Sequence, residues 1–339
     1  MRDQCAKAGW SRRQFVEGLV LTGTAGLLGL RPEAAAAEPP PETPRLRLYK
    51  FPGICLAPQY VADALLRAEG FTDVQYLEFP EGARGVQDRV GSGAVDITQW
   101  YLAPFIVAAD KGAPIVFLSG VHVGCQELFA TGRIQTIREL QGKTIAFPFG
   151  TSSTVYALLG YVGLDYRKDV NFVEKAPSEA ITLLAEEKID AYLATAPFAQ
   201  ELRAKKIGHV ILNTNTDRPW SQYFCCMLIA NREFARKHPV AAKRAVRAII
   251  KAEQICALEP ERVARDMVAQ GFTKSYDYAL QAMRDIPYGR WRQYDPEDAV
   301  RFYALRLHEA KVIEATPQRL IAEHTDWRFL NEIKKEIRT

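Results

Sequence analysis

The strongest constraint on the fold of this sequence is a regular alternation between short runs of β-branched and aromatic residues and segments of helical pattern. The first run, 46–51, is followed by a helix that begins near Pro58 and ends before Gly70. Proline is favoured in the first turn of a helix and glycine just beyond its end, so these two residues mark the boundaries of a helix at 59–69. Repeated strand–helix pairs are typical of βαβ units around a parallel sheet. The sequence therefore predicts an α/β fold.

The alternation occurs twice, since a second series of strand–helix pairs begins near Thr136 and echoes the first. Two further runs with strand character, 127–130 and 223–230, are each predicted to carry the chain from one lobe to the other. Beyond Asn231 the pattern is mostly helical. The sequence thus predicts two α/β lobes joined by two crossover strands. The other predicted strands are 74–79, 95–97, 115–121, 143–147, 171–174 and 189–193, and the other predicted helices are 86–90, 104–111, 153–162, 178–187, 240–258, 261–270, 276–284 and 297–311.

The first 37 residues have the pattern of an export signal. Arg12 and Arg13 precede an apolar run, 16–30, and small residues follow at 34–37. A charged segment, an apolar core and a small-residue cleavage site are typical of a secretory signal, and paired arginines indicate the twin-arginine route. A membrane anchor is the alternative, but a span needs roughly 20 apolar residues. We therefore expect a cleaved signal and a soluble periplasmic protein. No cysteine follows the apolar run where a lipoprotein would carry one, so we do not expect a lipoprotein.

Composition excludes several classes of function. The formal net charge of +4 is too small to indicate a nucleic-acid-binding surface. No Gly-x-x-x-x-Gly-Lys loop, His-Glu-x-x-His motif or metal-finger cysteine spacing occurs, so nucleotide hydrolysis, a metal site and a cofactor are not predicted. Cys125, Cys225 and Cys226 fall on or beside the predicted crossover strands. We expect these cysteines to be buried as small apolar side chains, with a disulfide among them as the alternative.

The expected ligand site follows from the topology, because open α/β sheets bind ligands beyond the carboxyl ends of their strands. This rule selects the segments 51–55 and 98–101 in the first series and the segments 149–153 and 194–197 in the second. The candidate binding residues in these segments are Phe51, Gly53, Gln99, Trp100, Tyr101, Gly150, Thr151, Ser152, Ser153 and Thr195.

The loop 150–153 is the most specific of these segments. A glycine followed by hydroxyl residues at a helix N-terminus presents backbone N–H groups and side-chain donors to one point, which suits an anion or a carbonyl oxygen. The alternative is that Ser152 or Ser153 only caps its own helix, and both roles are compatible.

Aromatic and basic residues near the four segments add further candidates. Trp220 and Tyr223 are candidate contacts for a flat or apolar ligand, although single aromatic side chains more often belong to the core. Arg84 and Arg218 lie in predicted loops, where they would either neutralise an anionic ligand or remain solvated surface charges.

Several motifs, taken in order, resemble the periplasmic substrate-binding proteins of ABC importers for nitrate, sulfonates and taurine, a family that shares a domain with thiamine-pyrimidine synthases. The most specific part is a Leu-x-Gly-Lys run at 140–143 that leads to the Gly-Thr-Ser-Ser loop at 150–153. The other motifs are Ala-Pro-Gln-Tyr-Val-Ala at 57–62, Gly-Ala-Pro-Ile-Val at 112–116, Ala-Pro-Phe-Ala at 196–199 and Met-Leu-Ile-Ala-Asn-Arg-Glu-Phe at 227–234.

The resemblance implies a type II periplasmic binding protein whose two lobes close on a small-molecule solute. Such a protein delivers its solute to an ABC permease at the inner membrane and needs no catalysis. A proline-rich leader at 38–44 would precede lobe one, at 45–122 and 227–339, and lobe two would comprise 123–226. We expect the protein to act as a monomer.

The sequence departs from the family at positions that matter for the ligand. The segment Trp-Tyr-Leu at 100–102 stands where nitrate or sulfonate binders tend to have small residues, and the segment 195–197 lacks the usual tryptophan and acidic residue. A larger organic solute, such as a sulfonate, an organic acid or a pyrimidine, is therefore expected in place of a small inorganic anion.

One alternative function is that of an enzyme like the pyrimidine synthases, which use a lysine and a histidine near the first helix. Lys50 is present, but no histidine occurs at 54–68. Another is a periplasmic ligand sensor.

Overall fold

The computed structural model of the protein describes residues 38–337. In this part of the chain, ten strands form two five-stranded sheets, and helices pack around both. The predicted export signal, 1–37, and the last two residues lie outside the described residues. Within residues 38–337, we find no helix with the length and apolar character needed to cross a bilayer.

The first sheet combines strands of the first series with one strand from late in the chain. β1 (Arg45–Tyr49) pairs in parallel with β2 (Asp73–Leu77) and β3 (Ile97–Tyr101). β10 (Phe224–Asn231) lies antiparallel between β3 and β4 (Ile115–Val123). Every residue of β4 and β10 is buried, and strands covered on both faces have continuous rather than alternating apolar sequence. The order across the sheet is β2-β1-β3-β10-β4.

The second sheet repeats this plan within residues 126–213. β6 (Thr144–Phe147) pairs in parallel with β7 (Asn171–Glu174) and β8 (Ala191–Thr195). β5 (Gln126–Ala130) lies antiparallel between β8 and β9 (His209–Asn213), and the order is β7-β6-β8-β5-β9. The predicted α/β architecture with two lobes is confirmed.

The chain passes between the sheets in short segments beside the predicted crossover strands. The first passage, 124–125, joins β4 to β5, and the second, 214–223, joins β9 to β10. β5 and β10 each lie inside one sheet, with a hydrogen-bonded strand on either side. The crossing between lobes therefore takes place in the segments next to these strands. We call 41–123 with 224–337 the first lobe, and 126–213 the second lobe.

The helices follow the predicted order, with two differences. The helix predicted at 59–69 is interrupted at Ala62 and forms two short helices. Four helices that the sequence pattern did not predict are present at Phe198–Lys205, Arg232–Lys237, Pro317–His324 and Arg328–Glu336. The remaining helices are Ala57–Val61, Asp63–Ala68, Val86–Gly91, Leu102–Asp110, Ser152–Val162, Pro177–Ala185, Pro239–Leu258, Pro260–Ala269, Tyr276–Asp285 and Pro296–Glu309.

β3 corrects one of our predictions. The sequence predicts a strand at 95–97 and a ligand loop at 98–101, whereas β3 spans Ile97–Tyr101. Pairing of Trp100 with Met227 and of Tyr101 with Cys226 supplies backbone partners that the local sequence does not reveal. Thr195 is likewise the last residue of β8, where it pairs with Gln126, and does not lie in a loop.

A buried carboxyl group on β5 is expected to make folding stability depend on pH. The Glu127 side chain is 2% exposed, and Arg203 lies 3.6 Å from it. Burial raises the pKa of Glu127 to about 7, and the charge of Arg203 opposes this only in part. Because the folded state then binds the proton more tightly than the unfolded state, the stability present at low pH falls as the pH rises from about 4.5 to about 7.

Glu127→Gln, which keeps the shape without the charge, should therefore melt at a higher temperature than the native protein at about pH 8 and at the same temperature at about pH 4. Thermal melts followed by circular dichroism across this range would measure the difference. Glu314→Gln, a matched change at an exposed position, serves as the control. If the Tm difference between the native protein and Glu127→Gln were the same at every pH, the raised pKa of Glu127 would not be the cause of the pH dependence.

Candidate functional site

A cavity of about 440 Å³ lies between the two lobes. The segment after β1 and the end of β3 form its first-lobe side, and the segments after β6 and β8 form its second-lobe side. A position beyond the carboxyl ends of parallel strands is the one expected for a ligand in an open α/β sheet. Six of the predicted binding residues line the cavity: Phe51, Gly53, Trp100, Tyr101, Thr151 and Thr195.

Aromatic rings form much of the cavity wall. On the first-lobe side, Trp100 contacts Phe51 and Tyr101 edge-on, with ring centroids 5.4 and 6.0 Å apart, an arrangement that the ring quadrupoles favour. Phe149 and Phe198 add rings from the second lobe. A lining of this kind suits a ligand with a flat or apolar body.

Trp100, a lining residue of the cavity, also has an unused hydrogen-bond donor. Its side chain is 1% exposed, and its indole Nε1–H has no hydrogen-bond partner among residues 38–337. Leaving a buried donor without a partner costs about 1–3 kcal/mol. A ligand would satisfy this donor only by reaching the indole nitrogen, which has almost no accessible surface.

Three helices of the second lobe begin at the cavity. They follow β6, β7 and β8 and start at Ser152, Pro177 and Phe198. Thr151 precedes the first of these helices directly, and Thr151, Pro177 and Phe198 all line the cavity. The first four N–H groups of a helix have no partner within the helix, and the helix dipole adds positive potential there. The second-lobe side of the cavity is therefore a favourable environment for an anion.

The structure divides the loop 150–153 between two surfaces. Thr151 lines the cavity, whereas Gly150, Ser152 and Ser153 line a more open depression of about 760 Å³ beside it. The Gly150 N–H donates to a Glu174 carboxylate oxygen at 3.3 Å, so it is already engaged. The predicted grouping of all four residues around one ligand is therefore not observed. Neither is the predicted capping, because the N-cap residue of this helix is Thr151 and no side chain caps it.

Two ion pairs connect the two lobes. Arg84 of the first lobe donates to Glu174 of the second at 2.9 Å, and its guanidinium lies 3.6 Å from the centre of the Phe149 ring. Arg203 of the second lobe pairs with Asp285 of the first. Arg84 thus lines the cavity with its charge already neutralised, while Arg218 is exposed.

Three further predicted site residues line neither the cavity nor the depression beside it. Gln99 is fully buried, and its side-chain amide donates to the Cys55 carbonyl at 2.6 Å. Trp220 and Tyr223 lie in the second passage between the lobes and pack on Phe302, with ring centroids 5.1 and 4.0 Å from it. Both aromatic side chains therefore pack on helix Pro296–Glu309 instead of lining the cavity. The local sequence does not indicate the position of this helix.

Other lining residues were missed by the sequence reasoning. The segment 80–83, which directly precedes the candidate Arg84, forms part of the first-lobe side. Pro177 and Phe198 come from helices that follow β7 and β8. The carboxyl-end rule would have selected Pro177, since it lies between the predicted strand 171–174 and the predicted helix 178–187.

Comparison with known proteins places this chain in a family. The NMT1-like family matches residues 39–271 of the chain. The taurine-binding periplasmic protein of Escherichia coli (strain K12) is 29% identical over 205 residues, which cover 59% of this chain and 62% of that protein. The chain therefore matches about six-tenths of the length of this curated relative.

Two solved structures resemble this protein in fold. The alkanesulfonate-binding protein SsuA from Xanthomonas axonopodis pv. citri, bound to MOPS, has a TM-score of 0.65 and 15% identity and covers 83% of this chain and 96% of its own. The periplasmic nitrate-binding protein NrtA from Synechocystis PCC 6803 has a TM-score of 0.70 and 14% identity, with coverages of 88% and 90%. At these identities the likeness establishes the fold.

The family match includes all ten strands of the two sheets and well over half of the chain. It agrees with the resemblance seen in the motifs at 57–62, 140–143 and 227–234. The chain belongs to the NMT1-like family, and its fold is that of the periplasmic nitrate- and sulfonate-binding proteins.

Proposed function

We propose that the protein is the solute-binding component of an ABC importer and captures a small organic anion with an apolar body. The observation that carries this proposal is the composition of one cavity, in which three helix N-termini face an aromatic wall. In this proposal the two lobes hold the solute without changing it, and an inner-membrane permease receives it. Periplasmic location and export by the twin-arginine route are part of the same proposal.

The second-lobe side of the cavity supports an anionic group on the solute. Helix N-termini stabilise negative charge by typically 0.3–1 kcal/mol each at exposed sites and by more when partly buried. Arg84, a basic residue of the lining, is already paired with Glu174. The Thr151 hydroxyl already donates to the Pro148 carbonyl at 2.8 Å. Backbone N–H groups, the Thr195 hydroxyl and the Trp100 N–H would therefore carry the recognition of the anion.

The size and lining of the cavity support an organic body on the same solute. A volume of about 440 Å³ lies in the range of small-molecule sites. An inorganic ion such as nitrate would leave most of this volume empty, and the rings of Phe51, Trp100 and Phe149 would gain nothing from it. Of the relatives named above, one binds taurine and another an alkanesulfonate, both organic sulfonates.

A panel of matched compounds tests the proposal. Benzenesulfonate, benzoate, taurine, MOPS and nitrate would be compared, with benzenesulfonamide as an uncharged analogue of the first. At a concentration about 100 times its Kd, a ligand adds about 2.7 kcal/mol of stability, which raises Tm by about 5–10 °C. We expect benzenesulfonate to raise Tm by this amount, benzenesulfonamide to raise it far less and nitrate to leave it unchanged.

Two results would contradict the proposal. If benzenesulfonamide raised Tm as much as benzenesulfonate, the negative charge would not contribute to recognition. If nitrate raised Tm as much as the organic compounds, the apolar body would not contribute. Mass spectrometry of the compounds after incubation provides a further check, because a chemically altered compound would indicate an enzyme of the pyrimidine-synthase kind.

A further inference from the structure

Four of the five cysteines in the described residues gather at the passages between the lobes. The sulfur atoms of Cys55, Cys125 and Cys226 all lie within 4.8 Å of one another. Cys225 adds a fourth sulfur, 3.4 Å from that of Cys125. All four thiols are free and buried. The expected burial of Cys125, Cys225 and Cys226 is thus observed, but they are side by side rather than dispersed through the core.

The sulfur cluster depends on several unusual local conformations. Cys125, in the first passage, has a φ of +91°, a region that non-glycine residues rarely occupy and that is often found at functional sites. The pairing of β10 with β4 is irregular on both sides of Cys226. Irregularities of this kind redirect side chains and are frequent beside functional sites. Cys55 comes from the turn Ile54–Leu56 after β1.

The surroundings of the sulfur atoms contain few other donors. The His122 ring is engaged with backbone carbonyl groups, with Nε2 at 3.1 Å from the Cys55 oxygen and Nδ1 at 3.3 Å from the Val123 oxygen. The Tyr101 hydroxyl lies 3.4 Å from the Cys55 sulfur. A site built from sulfur alone favours soft, thiophilic cations over cations that prefer oxygen.

We propose that Cys55, Cys125 and Cys226 form a buried three-sulfur site for Cu(I). Three sulfur atoms within mutual reach suit the trigonal coordination that Cu(I) accepts, whereas structural Zn(II) sites take four ligands. The site borders the solute cavity, since Cys55 and Tyr101 also line the cavity. The proposal is independent of the proposed solute, and its test uses no solute.

Titration of the mature protein with Cu(I) tests the proposal. The protein would be reduced with a phosphine, kept anaerobic and titrated with Cu(I) held by the chromophoric chelator bicinchoninate. We expect one Cu(I) per chain and a thiolate-to-copper charge-transfer band in the ultraviolet. Cys55→Ser and Cys226→Ser should each weaken binding at least about 100-fold, since changes outside the ligand shell already cost roughly 10- to 100-fold.

Two variants act as controls. Cys256→Ser makes the same change at a fully buried cysteine of helix Pro239–Leu258, outside the cluster, and should leave the affinity unchanged. Cys225→Ser should also leave it unchanged, because only three sulfurs are assigned to the ion. Circular dichroism of each variant verifies that it is folded.

Three outcomes would overturn the proposal. They are no uptake of Cu(I) by the reduced native protein, equal uptake by folded Cys55→Ser and Cys226→Ser, and a preference for Zn(II) that disappears in Cys225→Ser. The last outcome would assign a four-sulfur zinc site to the same cluster. A second variant, Cys55→Ala, decides the case in which Cys55→Ser fails to fold.

Discussion

Replacing Gly150 by alanine is expected to weaken the binding of benzenesulfonate at least about tenfold, which is about 1.4 kcal/mol. A Cβ atom at this position would lie 2.7 Å from the carbonyl oxygen of Ala83 in the other lobe. The backbone of Gly150 also has a φ of +78°, which side chains disfavour. The backbone segments at Gly150 and Ala83 cannot move apart locally without a large energetic cost. We therefore expect the two lobes of this variant to remain further apart than those of the native protein.

Gly163→Ala provides a matched control for this prediction. Gly163 ends the helix Ser152–Val162 and has a φ of +85°, but a Cβ there would meet no atom within 4 Å. The control therefore carries the backbone strain without the contact between lobes. It should lower Tm modestly and leave the affinity for benzenesulfonate unchanged.

Calorimetry and small-angle X-ray scattering would measure the two effects. Calorimetry gives the affinity of each variant, and scattering gives the radius of gyration with and without benzenesulfonate. We expect Gly150→Ala to have the larger radius in both conditions. If both variants lost affinity equally, backbone strain rather than the contact with Ala83 would explain the result, and the role of Gly150 in lobe closure would be refuted.

Replacing Trp100 by alanine is expected to lower both stability and binding. Trp100 is almost fully buried and contacts the rings of Tyr49, Phe51 and Tyr101. Truncation of a buried tryptophan to alanine typically costs about 3–5 kcal/mol of folding stability. The same change removes one ring of the aromatic wall and the support that it gives to Phe51 and Tyr101, so binding of benzenesulfonate should weaken strongly.

Trp100→Phe separates the ring from its N–H group. Phenylalanine keeps an aromatic face but lacks the Nε1–H donor, and a hydrogen bond contributes about 0.5–1.5 kcal/mol, or 1.5–3 kcal/mol when one partner is charged. We expect a loss of affinity of about tenfold in this variant, with most of the native stability kept. Chemical denaturation and calorimetry measure the two quantities. An unchanged affinity would show that the Trp100 N–H does not contact the anion.

The order of strands and helices was largely predictable because its signals are local. Pro58 and Gly70 bound one helical segment, and the strand 171–174 was predicted to the residue. Polar residues make up half or more of the helices missed at Phe198–Lys205 and Arg328–Glu336, and the apolar residues of these helices become informative only once their packing partners are known.

The candidate site was predicted in outline, through the rule on carboxyl ends of strands. Phe51, Trp100, Thr151 and Thr195 line the cavity because each lies at or just beyond the end of a strand. Gln99 and Trp220 satisfied the same reasoning but are buried away from the cavity. Their side-chain directions depend on the pairing of β3 with β10 and on the packing of helix Pro296–Glu309, which are contacts between distant parts of the chain.

The sequence by itself determined the two-lobed α/β plan, because hydrophobic period and proline–glycine punctuation act over a few neighbouring residues. Only the tertiary structure decided which side chains meet. The pair Arg84 and Glu174, the contact of Gly150 with Ala83, and the sulfur cluster of Cys55, Cys125 and Cys226 each join segments far apart in sequence. Such contacts follow from strand register and from the path of two short passages between the lobes, and no local pattern encodes either.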